Sequence, residues 1–252
     1  MSDTILYEID GDTARITINK PEKRNALALG DLTMIIDCLK SAEESDVRAL
    51  VITGAGDRAF SAGVDLSDVS STEDWGVNPL TALCDAVQRF PRPTIARLNG
   101  AVIGGAAELS LACDFRVGVE GMKLMVPAAR IGIHYEPSGL RRAISCVGVQ
   151  AAKRIYLLAE PCDTQRLADI GYLDRLAPAE DLDAAVDEVL EMIRVCAPLA
   201  INGMKRTFAE MSAGVEDEDT IRARIVETWA SDDMKEGLAA VQGKRRPTFT
   251  GQ

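Results

Sequence analysis

Residues 98–114, with the sequence LNGAVIGGAAELSLACD, restrict the fold more than any other part of the chain. Most of these residues are apolar or small, so other parts of the protein must cover both faces of the segment. The pair Gly104-Gly105 predicts the start of a helix, and Glu108 follows one turn later on the same face. Because an unpartnered buried carboxylate is costly, we favour Glu108 as a site residue and keep a buried ion pair as the alternative.

The composition excludes several classes of partner. The chain has 252 residues with 28 basic and 39 acidic side chains, and its net charge of −11 repels nucleic acid and anionic lipid. The apolar runs contain Gly and Glu and are too short to span a membrane, and the N-terminus has no secretory signal pattern. Six cysteines without a CxxC pair indicate reduced core thiols in a cytoplasmic protein, and no cluster has the spacing of a metal site.

The order of predicted elements indicates an α/β core followed by a helical C-terminal third. Alternating residues around Asp10-Gly11 predict a β-hairpin, and the apolar run 47–53 predicts a buried strand. Helices are expected near 29–44 and 79–89, with further strands in TIARLNG and DFRVGVE. Beyond these, only the short strand YLDRLA interrupts a run of predicted helices at 138–147, 149–159, 163–170, 180–196, 198–211, 216–231 and 233–243.

The glycine-rich stretch VRALVITGAGDRAF is similar to a dinucleotide-binding turn, because Gly54 and Gly56 follow a predicted strand. Such a turn must open a helix that holds the pyrophosphate, and the next residues, FSAGVDLSD, have no helical period. We therefore interpret the loop as one that presents backbone amides. A positive φ at Gly63 would turn the amide of Val64 toward a cleft, and a tight surface turn is the alternative.

Two backbone amides are candidates for binding an oxyanion. The N–H groups in the first turn of a helix have no partner within the helix, and the helix dipole favours negative charge there. The amide of Gly105 fits this description, and with that of Val64 it would form a two-donor oxyanion hole. The alternative is that Gly104-Gly105 only permits close packing of a helix against a strand.

Several long motifs, in the right order, resemble the crotonase (enoyl-CoA hydratase/isomerase) superfamily over nearly the whole chain. They are INKPEKRNAL, VITGAGDRAFSAGVDLSD, FPRPTIARLNGAVIGGAAELSLACDFRV and DDMKEGLAAVQGKRRPTFTG. The resemblance implies an α/β fold with a spiral core of ββα units over residues 1–195 and a helical oligomerisation region over 196–252. It also implies a homotrimer or dimer of trimers, an acyl-CoA thioester as ligand, and no cofactor beyond the coenzyme A of the substrate.

The resemblance also gives roles to individual residues. The amides of Val64 and Gly105 would hold the thioester carbonyl. The KRNAL and SAGVDL loops would enclose coenzyme A, and three basic residues, one of them from a neighbouring subunit, would meet its phosphates unless they are only solvated surface charges. The expected substrate-binding residues are Lys23, Arg24, Ala26, Ser61, Ala62, Asp65, Leu66 and, from the neighbouring subunit, Lys244.

The chain departs from the hydratases of this superfamily at one position. Those enzymes typically use two glutamates, and the second follows a proline where this chain has Ala128. Glu136 is the best replacement, because an acid at a similar position takes part in chemistry in the dienoyl-CoA isomerases. Tyr135 beside it resembles a pocket tyrosine of the methylmalonyl-CoA decarboxylases. His134, the only histidine, is expected to be a loop or interface residue.

Three functions follow from these residues. The first is isomerisation or hydration of an enoyl-CoA through a thioester enolate, with Glu108 and Glu136 transferring protons. The second is decarboxylation of a malonyl-type acyl-CoA, in which Tyr135 would orient the carboxylate that leaves. The third is an acyl-CoA-binding protein without activity, which the absence of the second glutamate would fit.

Overall fold

The computed structural model describes residues 4–65, 67 and 78–252. Its strands are β1 (Ile5–Asp10), β2 (Thr13–Ile18), β3 (Ala49–Gly54), β4 (Ala59–Ser61), β5 (Thr94–Leu98), β6 (Ala101–Ile103), β7 (Phe115–Val119), β8 (Leu124–Met125) and β9 (Arg175–Ala177). Its helices are α1 (Leu29–Glu43), α2 (Pro79–Arg89), α3 (Gly105–Ala112), α4 (Pro137–Leu157), α5 (Thr164–Asp169), α6 (Leu182–Arg194), α7 (Pro198–Ala213), α8 (Glu218–Ala230) and α9 (Asp232–Gln242). The predicted α/β class is confirmed.

The larger sheet has six strands in the order β1-β2-β3-β5-β7-β9. β1 and β2 form the predicted antiparallel hairpin, which turns through Gly11 with a φ of 57°. The other pairings in this sheet are parallel, as expected when helical crossovers join the strands. β3 is buried along its whole length, which explains the continuous apolar run in its sequence.

The sequence pattern does not predict the second sheet, which is parallel and has the order β4-β6-β8. Its strands have only two or three residues each, too few for an alternating pattern to be visible. Because the chain enters β4 shortly after Gly56, no helix opens there, in agreement with the rejection of a dinucleotide-binding turn. The parallel pairing of β4 with β6 places their carboxyl ends side by side.

The helical C-terminal third is confirmed. Within the continuously described residues 78–252, α4 to α9 follow one another with β9 as the only strand among them. Gly148, with a φ of 74°, bends α4 between the two segments predicted at 138–147 and 149–159. α7 and α8 contain no buried residue, so both lie at the surface of the chain. The proposed boundary between 195 and 196 falls between α6 and α7 and stays a prediction.

The cysteines follow the predicted pattern only in part. Cys84, Cys113 and Cys162 are buried free thiols, but Cys196 is exposed because it follows the last turn of α6 at the surface, so its predicted core position is wrong. In the described ranges, no three His, Cys, Asp or Glu side chains converge as a metal site would require. None of the described helices combines the length and apolar character needed to cross a membrane.

Candidate active site

The carboxyl ends of β4 and β6 bring two glycine turns into contact. Gly63 has a φ of 85° and Gly104 a φ of 58°, both in the region that favours glycine. A Cβ atom on Gly63 would lie 2.7 Å from the carbonyl oxygen of Ile103 and 2.9 Å from the amide nitrogen of Gly105. The positive φ predicted for Gly63 is confirmed, and the close approach of the two loops excludes any side chain at this position.

Val64 and Gly105, whose amides are the two candidate oxyanion donors, line one cavity at the carboxyl ends of β4 and β6. The Leu27 amide donates to the Gly63 carbonyl oxygen at 2.8 Å, and the Asp65 amide donates to the Leu27 carbonyl oxygen at 2.8 Å. In this parallel bridge the groups on either side of Val64 bind Leu27, so the amide of Val64 itself is directed to the other side. Gly105 is the first residue of α3, and its amide lies outside the hydrogen-bond ladder of the helix. Both residues line the cavity.

The KRNAL loop supports the turn that contains Gly63. The buried side chain of Asn25 donates to the carbonyl oxygens of Ala55 at 3.0 Å and Ala59 at 2.8 Å. The Ser61 hydroxyl donates to the Asn25 carbonyl oxygen at 2.7 Å and accepts from the Gly63 amide at 3.0 Å. The structure therefore places Ser61, a predicted substrate-binding residue, in contacts that fix the shape of this turn.

Glu108 lies in α3, one turn after Gly105, and it lines the cavity although its side chain is buried. Its Oε1 atom accepts a hydrogen bond from Arg142 Nη1 at 3.0 Å, in an ion pair whose two side chains are both buried. A Cβ atom on Gly139, in the first turn of α4, would lie 2.7 Å from the carboxyl carbon of Glu108. Glu108 is thus both a cavity residue and an ion-pair member, so the two alternatives taken from the sequence are combined.

Arg142 joins Glu108 to α2. Its second Nη atom donates to Asp85, and its Nε atom donates to Gln88 Oε1 at 2.8 Å. Burial raises the pKa of Glu108 from 4.5 to about 7, and the positive charge of Arg142 opposes this effect. The carboxylates of Asp85 and Glu136 act in the same direction as burial, and the pKa of about 7 is the net result of all these effects. Glu108 is therefore close to half ionised near neutral pH, which suits a group that accepts and donates a proton.

The cavity has a volume of about 490 Å³ and mainly apolar walls. Ala128 borders it and is buried, so the position of the absent second glutamate does lie at the site. A concave apolar site with a few polar groups is typical for a small organic ligand. The predicted site residues that line the cavity are Ala62, Val64, Gly105, Glu108, Tyr135 and Glu136.

The loop before α4 contributes Tyr135 and Glu136. Glu136 is exposed and is the N-cap residue of α4. The ring of Tyr135 packs edge-on against Tyr156, with ring centroids 4.9 Å apart. Burial, and to a lesser extent the charge of Glu108, raises the pKa of Tyr135 well above its usual range, so its hydroxyl keeps its proton. His134 is exposed in the same loop, as expected, and its Nδ1 atom lies 2.7 Å from the Tyr135 carbonyl oxygen.

Three predicted substrate-binding residues of the KRNAL loop lie beside the cavity wall but do not line the cavity. The side chains of Lys23 and Arg24 are exposed, and Ala26 is half-buried. The Arg24 carbonyl oxygen accepts a hydrogen bond from the amide of cavity-lining Ala62 at 2.9 Å. The two basic side chains are therefore on a loop that is bonded directly to the site.

The other predicted substrate-binding residues do not line the cavity or are not described. Asp65 accepts hydrogen bonds from the amide of Ser67 at 3.0 Å and from its hydroxyl at 2.7 Å, and these bonds hold the pKa of Asp65 below its usual value. Lys244 is exposed just after α9 and is not part of the cavity within this chain. Leu66 lies outside the described residues.

Comparisons with known proteins identify the family of this chain. The sequence profile of the enoyl-CoA hydratase/isomerase family matches residues 8–252. The enoyl-CoA isomerase/hydratase fer4 of Mycosarcoma maydis is 28% identical in an alignment that covers 94% of this chain and 92% of fer4. The crotonyl-CoA hydratase of Syntrophomonas wolfei is 29% identical in an alignment that covers 98% of each chain.

Solved structures show the same fold. The crystal structure of an enoyl-CoA hydratase/carnithine racemase from Magnetospirillum magneticum has a TM-score of 0.91 and 26% identity, over 100% of this chain and 97% of that one. The chain therefore belongs to the enoyl-CoA hydratase/isomerase family, and it is an enzyme of the hydratase/isomerase type. The resemblance noted in the sequence is confirmed.

Proposed function

We propose that this enzyme acts on enoyl-CoA thioesters through an enolate and that double-bond isomerisation is its main reaction. The observation that carries this proposal is the contact between Gly63 and Gly105, which brings two backbone amides to the cavity that also contains Glu108. Proton transfer at the carbon beside a thioester carbonyl requires an oxyanion hole and an adjacent acid–base group, and Glu108, with a pKa of about 7, is such a group.

The reaction begins when the thioester oxygen accepts hydrogen bonds from the amides of Val64 and Gly105. Ionised Glu108 then removes a proton from the carbon next to the carbonyl, and the electron pair moves onto the oxygen as an enolate. A proton returns to the far end of the conjugated system, from Glu108 itself or from Glu136 across the cavity. The double bond changes position, and no atom is gained or lost.

Ala128 favours isomerisation over hydration. Hydration needs a water held for attack, and a second carboxylate at the Ala128 position would be the natural group to hold it. A methyl group there supports no water, whereas isomerisation only moves a proton that the substrate already has. The proposed reaction needs no cofactor beyond the coenzyme A of the substrate.

Tyr135 carries the second candidate function, decarboxylation of a malonyl-type acyl-CoA. Its hydroxyl keeps its proton and the residue lines the cavity, so it is suited to orient a carboxylate beside the oxyanion hole. Loss of CO₂ would leave the same enolate, which then takes a proton.

Binding of coenzyme A and oligomerisation complete the proposal. Lys23 and Arg24 would meet the phosphates together with Lys244 of a neighbouring subunit, in a trimer or a dimer of trimers. α7 to α9 support such an assembly because each of them exposes large apolar side chains, and an exposed apolar patch marks an interaction surface. The exposed apolar side chains are Met204, Phe208, Met211, Ile225, Val226, Trp229, Leu238 and Val241.

The test is a panel of 2-enoyl-, 3-enoyl- and malonyl-type CoA thioesters of several chain lengths, with products identified by mass spectrometry and chromatography. The wild type is compared with Glu108→Gln, Glu136→Gln and Ala128→Glu. We expect interconversion of 2- and 3-enoyl-CoA, a loss of about 10²- to 10⁴-fold in Glu108→Gln, and a rise in 3-hydroxyacyl product in Ala128→Glu.

The outcomes separate the candidate functions. CO₂ release without enoyl turnover would favour the decarboxylase. Tight acyl-CoA binding without turnover of any thioester would show a binding protein and refute the proposed reaction. Full isomerase activity in Glu108→Gln would show that the proton is moved by another group.

A further inference from the structure

Arg142 has a partner at each nitrogen of its guanidinium group. Nη1 donates to Glu108, Nη2 donates to Asp85, and Nε donates to Gln88. The residue is only 5% exposed, so its guanidinium group is shielded from solvent. An arginine fork that is held at three points has one orientation, and it therefore gives Glu108 one orientation as well.

The two oxygens of Glu108 are in different environments. Oε1 is bound to Arg142, which leaves Oε2 as the oxygen that can exchange a proton with a substrate. Gly139 closes the space behind the carboxylate, since a Cβ atom there would lie 2.8 Å from Oε1 and 2.9 Å from Oε2. The acid is thus fixed by an ion pair on one oxygen and by the backbone of α4 against both.

Asp85 competes with Glu108 for the same positive charge. Its side chain is 31% exposed, whereas that of Glu108 is 2% exposed. Asp85, Gln88 and Arg142 line a second cavity of about 710 Å³, while Glu108 lines the first. The guanidinium therefore separates a buried carboxylate at the substrate cavity from a more hydrated one, and it neutralises neither of them fully.

We propose that Arg142 is a positioning residue for Glu108 and that Asp85, through the shared guanidinium, sets the charge state in which Glu108 meets the substrate. This inference rests on the proposed function, because it concerns the acid that moves the proton. Removing the charge of Asp85 gives Glu108 the undivided attraction of Arg142 and favours its ionised form. The charged or titratable groups that act on Glu108 or feel its charge are Arg142, Asp85, Glu136, Cys84, Tyr135 and Tyr156.

Two variants test the two parts of the proposal. Asp85→Asn keeps the shape but removes the charge, and it is expected to move the acid limb of the kcat profile to lower pH by about one pH unit. Arg142→Lys keeps the charge but cannot bridge two carboxylates and Gln88, so kcat falls about 10- to 100-fold while KM changes little. The matched controls are Glu160→Gln and Arg154→Lys, which alter an exposed ion pair and are expected to change neither quantity.

A readout independent of turnover is the titration of Glu108 itself, followed by NMR with ¹³C in the glutamate carboxyl groups and assigned through Glu108→Gln. We expect this titration to move with the acid limb in Asp85→Asn. An unmoved titration in Asp85→Asn, or kcat within about threefold of wild type in Arg142→Lys, overturns the proposal. If the titration moves but no thioester is turned over, the coupling of Asp85 to Glu108 is supported and the proposed function is refuted. If enoyl-CoA is turned over normally but the titration does not move, the proposed function is supported and the coupling is refuted.

Discussion

Replacing Gly139 by alanine tests how closely the carboxylate of Glu108 is held. The new Cβ atom would lie 2.7 Å from the carboxyl carbon, whereas carbon atoms in contact are normally about 3.5–4.0 Å apart. Glu108 must therefore move by about 1 Å, or α4 must move away from it. A displacement of this size in a catalytic group costs about 10²-fold in rate, so we expect kcat to fall by about that factor with little change in KM.

The stability of the variant is expected to change much less than its activity. Alanine at a helical position stabilises by ~0.5–1 kcal/mol relative to glycine, and overpacking of a filled site costs ~1–3 kcal/mol. The expected net loss is about 0–2.5 kcal/mol, which leaves a folded enzyme for the assay. Gly30→Ala is the matched control, because Gly30 is also in the first turn of a helix and a Cβ atom there would meet nothing within 4 Å.

The assay is steady-state isomerisation of an enoyl-CoA, with urea denaturation to measure the free energy of unfolding. Gly30→Ala is expected to keep its activity and to gain up to about 1 kcal/mol in stability. In the Glu108→Gln background, Gly139→Ala should lower the rate little further, because the two changes act on the same group. Two results would refute this reasoning: a kcat of Gly139→Ala within about threefold of wild type, or the same fold-loss in kcat in the wild-type and Glu108→Gln backgrounds. Either result would show that Gly139 does not act through the position of the Glu108 carboxylate.

Two further predictions concern pH and the glycine contact. Because the folded-state pKa of Glu108 is about 7 instead of 4.5, the fold favours its protonated form; this contribution to stability is complete below pH 4.5 and is lost as the pH rises through 7. We expect a loss of about 3 kcal/mol between these limits and a flatter profile in Glu108→Gln, measured by urea denaturation across that range. Gly63→Ala adds a clash 2.7 Å from the Ile103 carbonyl oxygen to the strain of a positive φ, so it should cost about 2–5 kcal/mol. Gly11→Ala, with positive φ but open space, should cost only the ~1–2 kcal/mol of strain, and equal melting temperatures for both variants would contradict the role of the contact.

The parts of the site that could be predicted are those that depend on local chemistry. A double glycine before an apolar run predicts a helix start, and a small-small-glycine turn after a buried strand predicts exposed amides. Glu108 could be identified because burial of a carboxylate in an apolar segment costs free energy unless the group has a partner or a function. These inferences require only residues within one or two turns of each other.

The partners of Glu108 could not be predicted, because each lies far away in sequence. Arg142 is 34 residues from Glu108 and 57 residues from Asp85, and nothing local distinguishes it from the other basic residues. Gly139 has an ordinary helical conformation, so its role is visible only when α4 is placed against α3. The second sheet could not be predicted for a different reason: its strands have only two or three residues, which is too short for an alternating pattern of apolar and polar residues.

Burial is the largest cause of the raised pKa of Glu108, and the charge balance around it explains why the ion pair with Arg142 does not cancel that effect. A carboxylate alone with an arginine would form a neutral pair, and its pKa would fall. Glu108, Arg142 and Asp85 together carry a net charge of −1 when all three are ionised, in a place where water cannot solvate that charge well. Uptake of one proton makes the group neutral, and Glu108 is the more deeply buried of the two acids, so it is the one that binds the proton. Because Arg142 is shared between two carboxylates, it holds Glu108 in place through a strong hydrogen bond without fully stabilising its ionised form. Glu108 therefore stays able to exchange a proton, which its apolar segment alone does not ensure.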